Sequence, residues 1–363
     1  MADRGKIAAW ILLVLTLGSS GAYAEAVRLR FRPEIGKKQT MRATSRLVTT
    51  HPAPGGQGST THVWTFTVEL EPLALAPDGS VTIRVGILRA REETSMAGHG
   101  QIWKFDTAGG AHELNVSAGQ WVAFLGESFT VVVSPQGAIV KLDTDAFYAA
   151  IAANRIKHED RALLIGAEAE GGRRYKNMDV KDRRWMIQTD GEEAIRQANE
   201  KYGSPDKRKQ AYKEEAADFL FYGTTQLRRL LNDLLAPFPP GPAQPGDRWS
   251  APVLIRLEAS TELAGTYVFK GPENGVCTLQ AEARRNMEDV PFAAQPVQEA
   301  YRVKLAGTYQ ATIKVDPATG SVLSKEAVME LKGTAPMPDA RTGTLGDHVP
   351  ITTTAAVTVE PVR

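Results

Sequence analysis

The chain of 363 residues carries 43 Lys and Arg against 42 Asp and Glu. A net charge of +1 gives neither the basic footprint of a nucleic-acid binder nor the field expected of a protein with a strongly acidic partner. Cys277 is the one cysteine, which excludes an internal disulfide, so stability must come from a buried core, and the length suits one large β domain or two ordinary ones.

The first element is an export signal. A positive MADRGK start, the uncharged run IAAWILLVLTLG, and SSGAYA with Ala22 and Ala24 at an A-x-A site make a tripartite signal peptide over residues 1–24. The apolar run is shorter than the roughly 20 residues needed to span a bilayer, and no cysteine follows the site to carry a lipid. The expected product begins near Glu25, has no transmembrane segment and is periplasmic or secreted. Asn115-Val116-Ser117 matches a glycosylation sequon by chance in such a setting.

Period-2 alternation follows. Val27, Leu29 and Phe31 alternate with arginines; Trp64, Phe66, Val68 and Leu70 share a side; so do Val81, Ile83, Val85 and Ile87. Late in the chain Tyr301, Val303 and Leu305, and then ITTTAAVTV, repeat the pattern. Strands with one apolar and one polar face belong to antiparallel sheets. Cys277 shares a face with Leu279 and Ala281 and reads as a buried structural thiol. Rim loops are expected at His51–Thr61 and Ala97–Ala111.

The middle is helical. Asp143 and Asp145 precede a short helix near 145–156, and a helical insert spans 190–236. Within it Ser204 is an N-cap with Pro205 at the first helical position, and Leu220, Leu227, Leu230, Leu231 and Leu234 form an apolar stripe. The Pro-rich connector 237–248, with five prolines from Pro237 to Pro245, stops helix and ladder alike. The organisation is therefore an N-terminal β half (25–189), a helical insert (190–236), the connector, and a C-terminal β half (249–363).

The two β halves share three motifs in the same order: IGKKQTMRAT with PGDRWSAPVL, APDGSVTIRV with GPENGVCTLQ, and VVVSPQGAIV with IKVDPATGSVL. An internal duplication explains the order. The expected fold class is α+β, mostly antiparallel β, with two related halves arranged as a half-barrel or a sandwich around the helices.

Catalytic signals are weak. The histidines show no H-x-H or H-x-x-x-H spacing, so no metal site is written locally, although His99 and His112 flank a strand-like WKF segment. Ser204-Pro-Asp-Lys207 has S-x-x-K spacing but lacks the S-D-N and K-T-G partners of serine acyl-transfer enzymes. No cofactor motif occurs, and the carboxylates mostly neighbour basic residues.

With LRFRPEIGKKQTMRAT, FTVVVSPQGAIVKLD, PAQPGDRWS and TYQATIKVDPATGSVL set out, the chain resembles exported bacterial β-rich proteins of unknown function that share a signal peptide, an opening strand, a V-x-x-x-G-x-V hairpin and a P-G-D-x-W re-entry. Met41 stands where an aromatic residue is usual in that opening strand. The resemblance implies no catalytic residue. The order strands–helix–strands is also similar to half-barrel lipoprotein carriers that cradle acyl chains.

These readings favour a non-enzymatic exported protein that binds an apolar ligand such as a lipid, or an envelope protein. A purely structural envelope module and a hydrolase with dispersed residues are the alternatives. Trp64, Phe66, Tyr267, Phe269, Leu227 and Leu231 are the candidate ligand contacts, against a plain core role. Arg173, Arg174, Arg183 and Arg184, with Tyr175 and Trp185, are the candidate surface contact, against a solvated segment.

Overall fold

The computed structural model describes residues 26–53, 56–97, 100–108, 123–218, 223–256, 260–292, 301–338 and 345–362. The export signal, the sequon, His99, His112 and Leu220 lie outside them. Among the described residues are twelve strands and four helices. They run β1 (Gln39–Ala53), β2 (Gly56–Leu75), β3 (Val81–Met96), β4 (Gly100–Asp106), β5 (Ser128–Val133), β6 (Ile139–Asp143), α1 (Asp145–Arg174), α2 (Val180–Tyr202), α3 (Pro205–Asp218), α4 (Thr224–Leu234), β7 (Arg248–Arg256), β8 (Ser260–Glu273), β9 (Val276–Phe292), β10 (Tyr301–Val315), β11 (Val322–Pro338) and β12 (Leu345–Pro361).

All strands join one antiparallel sheet in the order β6-β5-β3-β2-β1-β12-β11-β10-β9-β8-β7, with β4 paired to β3 off this path. The fold is α+β with a helical segment between two runs of strands. A single open sheet excludes the sandwich alternative.

The duplication is visible in the ladder. In chain order β1-β2-β3-β5-β6 forms a meander, and β7-β8-β9-β10-β11 forms the same meander. The three matched turns each carry a glycine at positive φ: Gly36 with Gly246, Gly79 with Gly275, Gly137 with Gly320. Register shifts also match. One falls late in β2 between Pro72 and Ala74 and late in β8 between Phe269 and Gly271. The other falls at Val132/Val133 and at the corresponding Lys314/Val315. Bulges at equivalent places are a stronger mark of a copied meander than turn residues alone. After β11 the chain adds β12, which joins the halves by pairing with β1. After β6 it adds the helices instead.

The sheet curls. The extended segment before β1 bonds two turns that lie far apart along the strand order: Phe31 N–H donates to Pro135 O (2.8 Å) and Arg32 N–H to Thr319 O (2.7 Å). The connector before β7 does the converse, with Phe238 N–H donating to Gln136 O (2.8 Å). Each half's leading segment thus crosses over the other half's turn. The two segments pair with each other through Val27 and Ala243, which exchange two 2.8 Å hydrogen bonds. Val27–Arg32 was expected as a strand. Leu29 and Phe31 are buried as the alternation implied, but the segment is a strap with one isolated bridge to Ala243 rather than a ladder member.

The inward faces make one core. Val81, Ile83, Val85 and Ile87 of β3 are at most 1% exposed, and each such buried side chain contributes about 1.5–3 kcal/mol. Cys277 is buried among them, and burial pushes its thiol pKa up. Leu227, Leu230, Leu231 and Leu234 of α4 fill the inside of the curl.

Several boundaries differ from expectation. The helix expected near 145–156 continues to Arg174, and α2 begins at Val180, well before 190. The reason is polarity: α2 buries only Gly191, so no apolar stripe marks it. The N-cap of α1 is Thr144, whose side chain makes no capping hydrogen bond, not Asp143. Ser204 does cap α3, accepting from Lys207 N–H at 3.2 Å. The His51–Thr61 loop is instead the end of the β1–β2 hairpin, paired out to Ala53↔Gly56. Pro52 is tolerated because β12 pairs with β1 only as far as Thr50, leaving one side of β1 without a ladder there. Part of the Ala97–Ala111 segment is β4.

Candidate functional site

The crossing of the connector over the β5–β6 turn leaves a cavity of about 230 Å³ beside the free edge of β7. Its wall is built by alternation. Trp249, Ala251 and Val253 face inward from β7, Tyr267 from β8, Tyr309 and Ile313 from β10, and Lys325 from β11. Leu235 and Phe238 close it from the end of α4 and the connector. The mouth lies between exposed Gln136 and Ala138 on one side and Ser250 and Pro252 on the other.

The apolar body of the cavity is aromatic. The rings of Trp249 and Tyr267 stack with centroids 5.9 Å apart and planes 19° from parallel. Its polar groups converge from several strands. The Trp249 indole N–H is buried and has no hydrogen-bond partner among the described residues. Tyr267 and Tyr309 are 4% and 7% exposed, and no hydrogen bond of either hydroxyl occurs among the described residues. Burial raises both phenol pKa values, so both hydroxyls keep their protons and can donate. The Lys325 ammonium donates to Asn232 O (3.1 Å) and Asp233 Oδ1 (3.0 Å), fastening α4 to the sheet. A buried N–H without an acceptor costs about 1–3 kcal/mol, and a guest carrying an acceptor removes that cost.

A second cavity, about 280 Å³, occupies the equivalent place in the other half, between the start of β1, the β10–β11 turn and the strap at Phe31. There Glu34, Lys37, Lys38 and Asp316 replace the aromatic rings. A larger hollow of about 450 Å³ lies on the outward face of β8–β11, where Lys270, Glu282, Gln310 and Glu326 alternate along solvated strands with no buried donor. Of these three cavities among the described residues, the aromatic one combines an apolar body with a buried donor and two buried phenols, the usual character of a small-molecule site.

Of the residues singled out from sequence, Tyr267 lines this cavity. Phe269, Leu227 and Leu231 are at most 1% exposed and belong to the packed core. Trp64 and Phe66 sit elsewhere, around a void of only about 20 Å³ beside Ser45, Gln226 and Arg229. Trp64 stacks on His62 (5.3 Å) and donates to Glu92 Oε1 (3.2 Å). Arg173, Arg174, Arg183 and Arg184 lie at the α1–α2 turn, away from the cavity. Sequence reasoning missed Trp249, Tyr309 and Lys325. Lys325 carried a signal: it occupies an inward register position with Ala327, Met329 and Leu331, where a cation needs a buried partner. Among the described residues no group of three His, Cys, Asp or Glu side chains is placed to hold a metal.

Residues 187–322, from within α2 to the first residue of β11, match the Family of unknown function DUF6263. No curated protein matches the chain. Among solved structures, lipovitellin, in a study of its lipid–protein interactions, is similar over 91% of this chain at 10% identity and a TM-score of 0.42. The chain spans only 25% of the lipovitellin chain. OccK7 (OpdD) of Pseudomonas aeruginosa is similar over 83% of this chain and 55% of its own, at 6% identity and a TM-score of 0.19. An outer membrane channel of Pseudomonas putida F1 is similar over 95% and 99%, at 8% identity and a TM-score of 0.20. No helix among the described residues is long and apolar enough to cross a membrane.

Proposed function

We propose that this chain is an exported, non-enzymatic binding protein that takes a small apolar ligand with a hydrogen-bond-accepting head into the cavity beside β7. The observation that carries the reading is the buried, unpaired Trp249 indole N–H in an aromatic cavity that also receives two buried tyrosine side chains. The volume of about 230 Å³ equals about eight waters at ~30 Å³ each, which restricts the guest to a short chain or a single ring system. Lys325, already paired with Asp233, biases the site toward an acceptor or anion and against a cation. Export is read from the N-terminal sequence pattern.

The test is calorimetric titration with octanoate, 1-octanol and octylammonium. The two acceptor-bearing probes should bind, and octylammonium, which offers only donors, should bind at least about tenfold more weakly. Trp249→Phe keeps the ring stack and removes one donor, so octanoate should weaken about tenfold, the order of one hydrogen bond in a buried site. Equal binding of all three probes, or an unchanged affinity in Trp249→Phe, contradicts the proposal. Absence of binding by any probe leaves the structural-module reading in its place.

A further inference from the structure

The turn between α1 and α2 carries an arrangement that the cavity does not use. Three exposed large apolar side chains lie in and just after it: Met178 (38% exposed), Val180 (72%) and Trp185 (65%). Around them stand Arg173, Arg174, Lys176, Lys181 and Arg184, all exposed. The carboxylates nearby are Asp179 and Asp182 at the start of α2 and Glu168 and Glu170 one turn back on α1. Over residues 173–185 there are six cations and two carboxylates.

The turn is held in shape rather than left loose. Asp179 caps α2 by accepting from Lys181 N–H (2.8 Å). Arg183, the sixth cation, folds back to donate to Lys176 O (3.2 Å) and Met178 O (3.1 Å). Tyr175 donates to Asp190 (2.8 Å), tying the turn to the body of α2. Small residues bring the helices together: a Cβ on Gly171 would lie 2.4 Å from Ile187 Cγ1. Arg183 thus satisfies two of the turn's carbonyls; the other five cations are exposed, with Arg173 reaching back to Ala169 O (3.4 Å) and Arg174 lying over the Tyr175 ring (5.5 Å).

The turn also stands clear of the sheet. The first turns of α1 bury Phe147, Tyr148, Ile151 and Ala152 against it, and α3 anchors Arg208 to Asp160 of α1 at 2.8 Å. From Asp160 to Arg174 is about 20 Å of helix at 1.5 Å per residue. The tip is therefore the far end of the α1–α2 pair, with exposed apolar side chains and cations at and just behind its apex.

We infer that this tip docks the protein onto an anionic lipid surface. Tryptophan and aliphatic side chains at an apex favour the headgroup boundary, and flanking Arg and Lys favour anionic headgroups. The charge complementarity selects a membrane carrying negative lipid over a zwitterionic one. This site is separate from the cavity, and neither depends on the other.

The experiment uses the full chain and vesicles of phosphatidylcholine with one quarter phosphatidylglycerol, against phosphatidylcholine alone, by co-sedimentation in low and high salt. Binding is expected to the anionic vesicles, to weaken in high salt, and to fall by about a hundredfold in Arg173→Gln/Arg174→Gln/Arg184→Gln, the order for three Lys or Arg at such a surface. All three positions are solvent-facing, and an unchanged helical circular dichroism spectrum verifies the fold. Tryptophan emission should shift to the blue on adding anionic vesicles, and the shift should vanish in Trp185→Phe. Equal partition to both vesicle types, retention of binding in the triple variant, or a shift that survives in Trp185→Phe would each overturn the inference. So would a response to soluble polyphosphate equal to that of the vesicles, because it would show charge alone at work without apolar insertion.

Discussion

The crossed straps make a quantitative prediction about two glycines. Gly137 and Gly320 occupy equivalent turns at φ 77° and 67°. A Cβ on Gly137 would lie 2.0 Å from Ala236 O, and one on Gly320 would lie 2.1 Å from Arg30 O. Gly36, at φ 79°, has nothing within 4 Å of its Cβ position and serves as the control. An L-residue in the left-handed region costs roughly 1–2 kcal/mol, offset by roughly 0.4–1 kcal/mol from a stiffer unfolded chain. Gly36→Ala should therefore cost about 1 kcal/mol. Gly137→Ala and Gly320→Ala carry the same backbone penalty and also push a strap carbonyl away by more than an ångström. Overpacking of this kind costs about 1–3 kcal/mol, so each should lose about 3 kcal/mol in urea denaturation. The two losses should not add fully, because both straps share the Val27–Ala243 pair and displacing one already weakens it. If Gly137→Ala and Gly36→Ala fall within 0.5 kcal/mol of each other, on the ~1 kcal/mol scale of those penalties, the strap is not pressed on the turn and the crossed arrangement is wrong.

Three further outcomes follow from named contacts. Lys325→Met removes the ammonium paired with Asp233 at 3.0 Å, leaving the buried Arg229 nearby, and should cost about 2–4 kcal/mol, whereas Lys325→Met/Asp233→Leu should cost less, as read by thermal denaturation of both variants. Burial pushes the Glu159 carboxyl upward, but hydrogen bonds from Tyr212, Arg208 and Arg155 outweigh it and hold its pKa below the ordinary 4.5. A depressed carboxylate contributes stability above the unfolded value and loses it as pH falls through the folded one, so Glu159→Gln should be less stable by about 2–3 kcal/mol near neutrality and show a shallower acid limb below about pH 4.5 in a pH series of urea midpoints. Gly191→Val should loosen the α1–α2 pair, because a Cβ there already lies 3.6 Å from Ala167 Cβ and 3.7 Å from Leu164 Cα, leaving little room for two more methyls, and Gly191→Ala, which needs only the Leu164 side chain to turn, should keep most of the helical signal in circular dichroism.

What the sequence exposed was the pattern that one solvent makes. A strand with water on one side alternates, so the inward faces of β2, β3 and β9 were legible residue by residue. So was the copied order of turns, since each needs a glycine where the chain reverses. The residues from 157 to 189 were not legible, because helices stabilised by ion pairs and close glycine contacts bury almost no side chain and show no apolar stripe. The cavity was hidden for another reason. Tyr309 and Lys325 come from the paired strands β10 and β11, but Trp249 lies about sixty residues earlier on β7, and the connector's path over the β5–β6 turn closes the wall that they share. Tyr267 and Phe269 share a strand face and read alike in the sequence, yet two residues along that face separate a cavity wall from a closed core.

The same asymmetry predicts where the molecule opens first. Strands β1 and β12 sit mid-sheet with partners on both sides, and their inward residues Met41, Leu47, Ile351 and Val359 are at most 6% exposed. Helix α2 touches the rest of the protein through α1 and α3, and buries a single glycine. With so little apolar area removed from water, opening the α1–α2 pair exposes little and leaves the sheet paired. Amide exchange should therefore be at least about a hundredfold faster in Val180–Tyr202 than in β1 and β12, equivalent to about 2.7 kcal/mol of opening free energy. The early turns of α1 should stay with the sheet, because Phe147 packs edge-on against Phe129 of β5 at 5.4 Å. Protection in α2 equal to that of β12 would mean that the helix pair and the sheet open only together, and the polar helices would then owe their stability to contacts other than buried surface.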